Sequence, residues 1–263
     1  MLFRSNQGKL YPVATLLAVY FVVSFLPGCS AVIIDNDSPP EVQYAEGERL
    51  LNKDRYLEAV ERFRILKSRY PYSKYAALAT LRIGDTHFAE EAFIEAASAY
   101  KVFRDLYPKH EKTPYAIFRM GESHFNTLPS TDDRDLEAAI LAIDAYTILL
   151  KDFPKSEFEE QAEKRINELR GRLAEKESYV GEFYFKRELY QAAANRFSYL
   201  LLNYPEQGKS EENLYKLAYS FERMGEYSKA DQAIAILEQD YPNGQRKSDR
   251  EKLKQRVQEG LKK

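Results

Sequence analysis

A chain of 263 residues in which 44% of the side chains are hydrophobic and 30% are charged can bury a core, as one larger domain or two smaller ones. Its formal net charge of −2 argues against nucleic acid as the main partner, because binding to phosphates requires a basic surface. Only 11 glycines and 11 prolines interrupt the chain, and this composition favours helices.

Residues 1–28 have the pattern of a signal peptide. Arg4 and Lys9 supply positive charge, and residues 11–26 are almost entirely apolar. This apolar run is shorter than the roughly 20 residues that a membrane-spanning helix needs. The pattern therefore predicts export from the cytoplasm.

The apolar run ends at the sequence LPGC, residues 26–29, which resembles a bacterial lipobox. Cleavage before Cys29, the 1 cysteine of the chain, would let it carry lipid, and several fatty chains anchor a protein stably. Pro27 stands where lipoboxes usually carry Ala, Ser or Thr. The alternative is an uncleaved signal anchor in which Cys29 has no role. Ser30 differs from the Asp of an inner-membrane retention signal, so the lipobox implies the periplasmic face of a Gram-negative outer membrane.

After a short tether, residues 29–40, the sequence repeats. Five prolines each follow an aromatic residue, with an alanine 12 residues earlier and a large apolar residue 8 residues earlier. The prolines are Pro71, Pro108, Pro154, Pro205 and Pro242; the alanines are Ala59, Ala96, Ala142, Ala193 and Ala230; the apolar residues are Phe63, Tyr100, Tyr146, Phe197 and Ile234.

A small residue also precedes each alanine, at Gly47, Gly84, Gly121, Gly181 and Ala218. Small residues let two helices approach closely, the large apolar residue fills the space between them, and the proline ends the second helix. This pattern resembles the tetratricopeptide repeat. We therefore predict an all-α fold, a superhelix of five tetratricopeptide-like helix pairs followed by a C-terminal helix near residues 248–260.

The repeats differ in length, which predicts two blocks. The third repeat is extended by a loop at residues 127–133, and the fourth begins with a long helix at about residues 157–186. The predicted blocks are a front block of repeats 1–3, residues 41–156, and a rear block with the long helix, repeats 4–5 and the C-terminal helix, residues 157–263.

First helices of such repeats line a groove that can hold an extended peptide. Two arginines of the predicted front groove, Arg82 and Arg119, each lie 2 residues before a repeat glycine, a position that resembles a carboxylate clamp. The alternatives are pairing of each arginine with a helix neighbour and burial of the apolar residues between helices. The predicted groove residues are Tyr44, Leu81, Arg82, Phe88, Tyr115, Phe118, Arg119 and Phe125.

The sequence contains no constellation typical of catalysis. His87 and His124 occupy equivalent places in successive repeats, so roughly 10 Å should separate them, too far for a shared metal ion. We expect both to replace a packing tyrosine. We predict no enzyme, no catalytic residue and no metal site.

The order of these features resembles the BamD family of outer-membrane lipoproteins: a lipobox, five repeats, an extended third repeat and a long helix in the fourth. Similar local runs are RYPYSKY at residues 69–75, DRD at residues 133–135 and the pattern along residues 164–184. The resemblance implies a non-enzymatic scaffold of the β-barrel assembly (BAM) complex. The resemblance further implies that such a protein is lipid-anchored at the outer membrane and has no cofactor other than the lipid on Cys29.

The resemblance also implies partners. The rear repeats would dock onto BamA, with Tyr184, Arg187 and Arg196 at that surface by matching position, and other BAM lipoproteins would attach. The front groove would receive unfolded outer-membrane β-barrel proteins, whose terminal strands commonly end in an aromatic residue with a free carboxylate. A different periplasmic repeat lipoprotein, such as a secretin pilotin or a cell-envelope division factor, is the alternative.

Overall fold

A computed structural model describes residues 35–131 and 136–262, and every regular element in these ranges is a helix. Cys29 and residues 132–135 of the third repeat lie outside the described residues. The helices are α1 (Pro40–Leu51), α2 (Tyr56–Arg69), α3 (Lys74–Ala89), α4 (Phe93–Leu106), α5 (Thr113–Asn126), α6 (Glu137–Asp152), α7 (Glu159–Lys186), α8 (Tyr190–Asn203), α9 (Pro205–Gly208), α10 (Glu211–Arg223), α11 (Tyr227–Asp240) and α12 (Lys247–Leu261).

Each predicted repeat is a pair of helices in contact, and each pair also contacts the next along the chain. The pairs are α1/α2, α3/α4, α5/α6, α7/α8 and α10/α11, and α12 packs on α11. The all-α repeat fold is therefore confirmed. None of the helices in the described part of the chain has the length and apolarity needed to cross a membrane.

The close approach within each pair depends on a glycine that faces a buried ring. A Cβ atom added at Gly47 would come within 2.4 Å of the Phe63 ring, and one at Gly121 within 2.4 Å of the Tyr146 ring. Both rings are fully buried. Gly84 and Gly181 face the rings of Tyr100 and Phe197 in the same way, so the spacing read from the sequence reflects direct contact between the helices.

The second helix of every pair ends at the aromatic residue before the repeat proline. These five aromatic residues share one backbone conformation, with φ between −129° and −132° and ψ of 56° or 57°, outside the helical region. The Tyr70 hydroxyl also donates to the carbonyl oxygens of Asp37 and Ser38, each at 3.0 Å, which fastens the chain before α1.

The turn within a pair requires a left-handed backbone at one position. The residue there has φ of 57° at Asp54, 61° at Glu91, 60° at Glu188 and 77° at Gly225. Only the last of these is the residue type that favours this conformation. In three of these four turns, the sequence therefore has no glycine that would predict the left-handed residue.

The apolar interior of residues 36–262 divides along α7. Ala162, Leu169 and Leu173 pack with residues of α3 to α6, whereas Ala174, the next residue along α7, packs with residues of α8 to α12. A third cluster joins α1, α2 and α3. The apolar clusters change between Leu173 and Ala174, within α7, and not at the predicted block boundary after residue 156. The division into two blocks stays a prediction.

Replacing Gly121 with alanine should lower the free energy of unfolding by about 1–3 kcal/mol, because the new Cβ overlaps the buried Tyr146 ring. The matched control is Gly171→Ala in α7, where a Cβ would meet nothing within 4 Å. That change should raise stability by about 0.5–1 kcal/mol through helix propensity. Urea unfolding followed by circular dichroism measures both, and equal midpoints for the two variants would contradict the contact.

Candidate peptide-binding cavity

A cavity of about 400 Å³ opens between α1, α3 and the start of α5. We call it the front cavity. Four of the predicted groove residues, Tyr44, Leu81, Arg82 and Tyr115, line it. The groove positions predicted from the sequence lie within the first helix of each repeat. They do not include Lys112, which lines the cavity but precedes the first turn of α5. The complete lining is Tyr44, Leu78, Leu81, Arg82, Asp85, Lys112 and Tyr115.

Asp85 organises the polar side of the front cavity. Its Oδ1 accepts hydrogen bonds from the hydroxyls of Tyr100 and Tyr115, both at 2.8 Å, and its Oδ2 accepts one from Arg82 at 2.9 Å. Burial, together with the charge of Asp85, raises the pKa of Tyr115 to about 12. Both tyrosines therefore stay protonated and keep donating at physiological pH.

Arg82 is held by carboxylates of the protein itself. Its Nε lies 2.8 Å from Glu48 and its Nη1 lies 2.9 Å from Asp85. Burial alone would lower the pKa of Arg82, but the hydrogen bond to Tyr44 and the two carboxylates raise it above its usual value. Two carboxylates of the protein therefore already bind Arg82, as the alternative of pairing within the protein predicted. Arg82 is a poor clamp for the carboxylate of an external ligand.

Arg119 differs from Arg82 in having no carboxylate within 4.0 Å among the described residues. Its guanidinium stacks over the Phe88 ring at 3.5 Å, and its Nε donates to the Tyr100 hydroxyl at 3.4 Å. Tyr100 in turn reaches Asp85, so Arg119 lies one side chain away from the front cavity. Lys112, on the cavity wall, likewise forms no ion pair with the part of the chain that the structure describes.

The other two predicted groove residues are covered. Phe118 is only 8% exposed and stacks on Phe158 with 4.8 Å between ring centroids, so it lies in the core and not on the groove surface. Phe125 lies under the guanidinium of Arg165 at 3.9 Å, and that arginine pairs with Glu122 at 2.9 Å. The alternative of burial between helices therefore describes Phe118.

The three residues predicted to contact BamA lie on two different parts of the structure. Tyr184 and Arg187 lie at the end of α7, where Tyr184 is partly buried in the rear core and Arg187 stacks on Phe183 at 3.6 Å. Arg196 lies on α8 and pairs with Glu177 at 3.1 Å. Their role as a docking surface stays a prediction.

Both histidines of the repeats are partly buried, and burial lowers the pKa of each. Each is therefore mainly neutral at pH 7, as expected of a residue in a packing position. Among residues 35–131 and 136–262, no group of three His, Cys, Asp or Glu side chains is placed to hold a metal ion.

The sequence is similar to a family of known proteins over most of its length. A family model described as "YfiO: Outer membrane lipoprotein" matches residues 36–237. A protein of Neisseria meningitidis named "Outer membrane protein assembly factor BamD" is 32% identical over 218 residues, which cover 80% of this chain and 82% of that protein. A protein of the same name from Rickettsia prowazekii is 28% identical over 231 residues, which cover 87% of this chain and 92% of that protein.

Removing the charge of Asp85 by Asp85→Asn should lower the free energy of unfolding by about 2–3 kcal/mol, because Arg82 loses a partner and two tyrosine hydroxyls lose a charged acceptor. Asp105→Asn is the matched control, since Asp105 is 52% exposed and, among residues 35–131 and 136–262, pairs only with its neighbour Arg104. Chemical denaturation compares them, and the same loss in both variants would refute the role of Asp85.

Proposed function

Since this chain belongs to the YfiO family of outer membrane lipoproteins, we propose that it is a non-enzymatic outer-membrane protein assembly factor. This is the function in the names of its relatives from Neisseria meningitidis and Rickettsia prowazekii. The family match also sets aside a secretin pilotin or a division factor. The finer proposals below concern the substrate, the anchor and the partner.

The front cavity would receive the end of an unfolded outer-membrane β-barrel protein. The observation that carries this proposal is the cation Lys112 in a cavity wall that also contains the apolar residues Leu78 and Leu81. A second cation, Arg119, lies one side chain away, at the Tyr100 hydroxyl. An aromatic side chain would contact the wall while the terminal carboxylate bonds to a cation, and a guanidinium suits a carboxylate well. Arg82, by contrast, would hold the cavity wall in place through Glu48 and Asp85.

Lipid on Cys29 would fix the protein to the periplasmic face of the outer membrane. This proposal rests on the lipobox alone, since Cys29 lies outside the described residues. Three fatty chains contribute roughly 0.8 kcal/mol for each buried CH₂ group, enough for a stable anchor. No other cofactor is proposed.

The rear repeats would bind BamA. The exposed guanidinium of Arg187 and that of Arg196, which is 46% exposed, could each take part in a polar contact, and arginine and tyrosine are common anchors of protein interfaces. Arg196 already pairs with Glu177, so a partner carboxylate would have to join or replace that pair.

Reversing the charge of Arg119 tests the substrate site. A ten-residue peptide with a C-terminal phenylalanine and a free carboxylate should bind Arg119→Glu about tenfold more weakly, because an attraction becomes a repulsion. Lys101→Glu, an exposed residue of α4 with the same charge change, should leave the affinity unchanged. Fluorescence anisotropy gives the dissociation constants.

The same peptide with an amidated C terminus should bind the wild-type protein about as weakly as the free-acid peptide binds Arg119→Glu. Unchanged affinity in Arg119→Glu, or equal binding of the acid and amide peptides, would eliminate the carboxylate clamp.

The docking surface is tested by the double variant Arg187→Glu with Arg196→Glu. Its recovery with BamA from solubilised outer membranes should fall at least about tenfold, because charge reversal at interface arginines opposes association. Lys247→Glu, exposed on α12, is the control for added negative charge. Undiminished recovery of BamA with the double variant would refute this placement while leaving the front cavity untouched.

A further inference from the structure

A second cavity of about 520 Å³ lies between α10 and α12, far along the chain from the front cavity. We call it the rear cavity. It uses the same repeat positions as the front cavity, because Tyr215 and Tyr219 stand where Leu81 and Asp85 stand three repeats earlier. Its lining is Tyr215, Tyr219, Glu222, Arg223, Asp249, Lys252 and Arg256.

Two aromatic side chains, Tyr215 and Tyr219, line the rear cavity, with 6.2 Å between their ring centroids. Outside the lining, the rings of Phe185 and Tyr190 contact Tyr219 at 5.5 Å and 5.9 Å between centroids. Tyr215 and Tyr219 are only partly buried. They therefore offer a surface on which another aromatic ring can pack.

The cations of the rear cavity are not all balanced by its acids. Glu222 pairs with Arg256 at 2.9 Å, and Asp249 pairs at 3.1 Å with Arg246 outside the lining. Arg223 and Lys252 have no carboxylate within 4.0 Å in the two described ranges. Two positive charges therefore remain without an ion-pair partner at this cavity.

Contacts with two tyrosines hold the side chain of Arg223 in one orientation. Its Nη1 donates to the Tyr219 hydroxyl at 3.4 Å, and its guanidinium lies 5.0 Å from the centroid of the Tyr190 ring. The side chain itself is exposed. A guanidinium fixed along an aromatic surface retains donors for a carboxylate that approaches from solvent.

From these contacts we infer that the rear cavity binds an extended peptide segment of a partner protein, in which an aromatic residue is flanked by acidic residues. The aromatic side chain packs on Tyr215 and Tyr219, and the acidic side chains bond to Arg223 and Lys252. The lining of this cavity and the proposed BamA surface have no residue in common, since Tyr184, Arg187 and Arg196 do not line the cavity.

A labelled ten-residue peptide with the central sequence Asp-Phe-Glu-Phe-Asp tests the inference on the full-length protein in detergent micelles. Its C terminus is amidated, so that it lacks the carboxylate expected at the front cavity. Fluorescence anisotropy should give binding about tenfold weaker to Arg223→Glu and to Lys252→Glu than to wild type. Both residues are exposed, so both variants should fold, which circular dichroism checks.

Three controls accompany the test. Lys247→Glu on the same helix as Lys252, and Arg119→Glu beside the front cavity, should bind like wild type, whereas the neutral peptide Asn-Phe-Gln-Phe-Asn should bind wild type about tenfold more weakly. The inference is overturned by equal binding of the two peptides, by weakening in Arg119→Glu but not in Arg223→Glu, or by no measurable binding at all.

Discussion

The contact on which the fold depends is that of a buried ring against the backbone of a glycine in the paired helix. The rings of Phe63, Tyr100, Tyr146 and Phe197 occupy the space that a glycine Cβ would fill. This contact sets how closely the two helices of a pair approach and at which level they cross. Because it recurs in four of the five pairs, with Ala218 and Ile234 in the fifth, successive pairs present equivalent positions to one another.

Two of these rings, those of Tyr100 and Tyr146, also connect the core to the polar surface. The hydroxyl of Tyr100 extends beyond its ring to Asp85, and the hydroxyl of Tyr146 reaches Glu122 at 2.6 Å. Each of these acids directly follows a repeat glycine. Packing of the ring therefore also places an acid, and the acid places cations of neighbouring helices, as in the contact of Glu122 with Arg165.

The front and rear cavities show how one repeat position serves different chemistry. At the position after the repeat glycine or alanine, the front cavity has Asp85, whose carboxylate engages two tyrosines and Arg82. The rear cavity has Tyr219, which contributes a ring and no charge. Arg82 of the front cavity is thereby balanced by two carboxylates, whereas Arg223 and Lys252 of the rear cavity pair with no acid in the described ranges.

The sequence by itself determined the helix pairs, the end of the second helix in each pair and the contacts within the pairs. The repeat of glycine, alanine, large apolar residue and proline predicts these features because helix breaking and close helix contact depend on residue type at short, regular spacing. It also predicted Tyr44, Leu81, Arg82 and Tyr115 near one groove. It did not reveal the left-handed turns at Asp54, Glu91 and Glu188, where no glycine stands.

Only the tertiary structure decided which of the two groove arginines is available to bind a carboxylate of a ligand. Arg82 and Arg119 occupy the same repeat position, yet the first pairs with Glu48, 34 residues away, and the second stacks on Phe88 and has no ion pair with any described residue. The burial of Phe118 against Phe158 was likewise invisible to the repeat pattern. Such differences depend on the side chains that surround each position in space, and the repeat period contains no information about them.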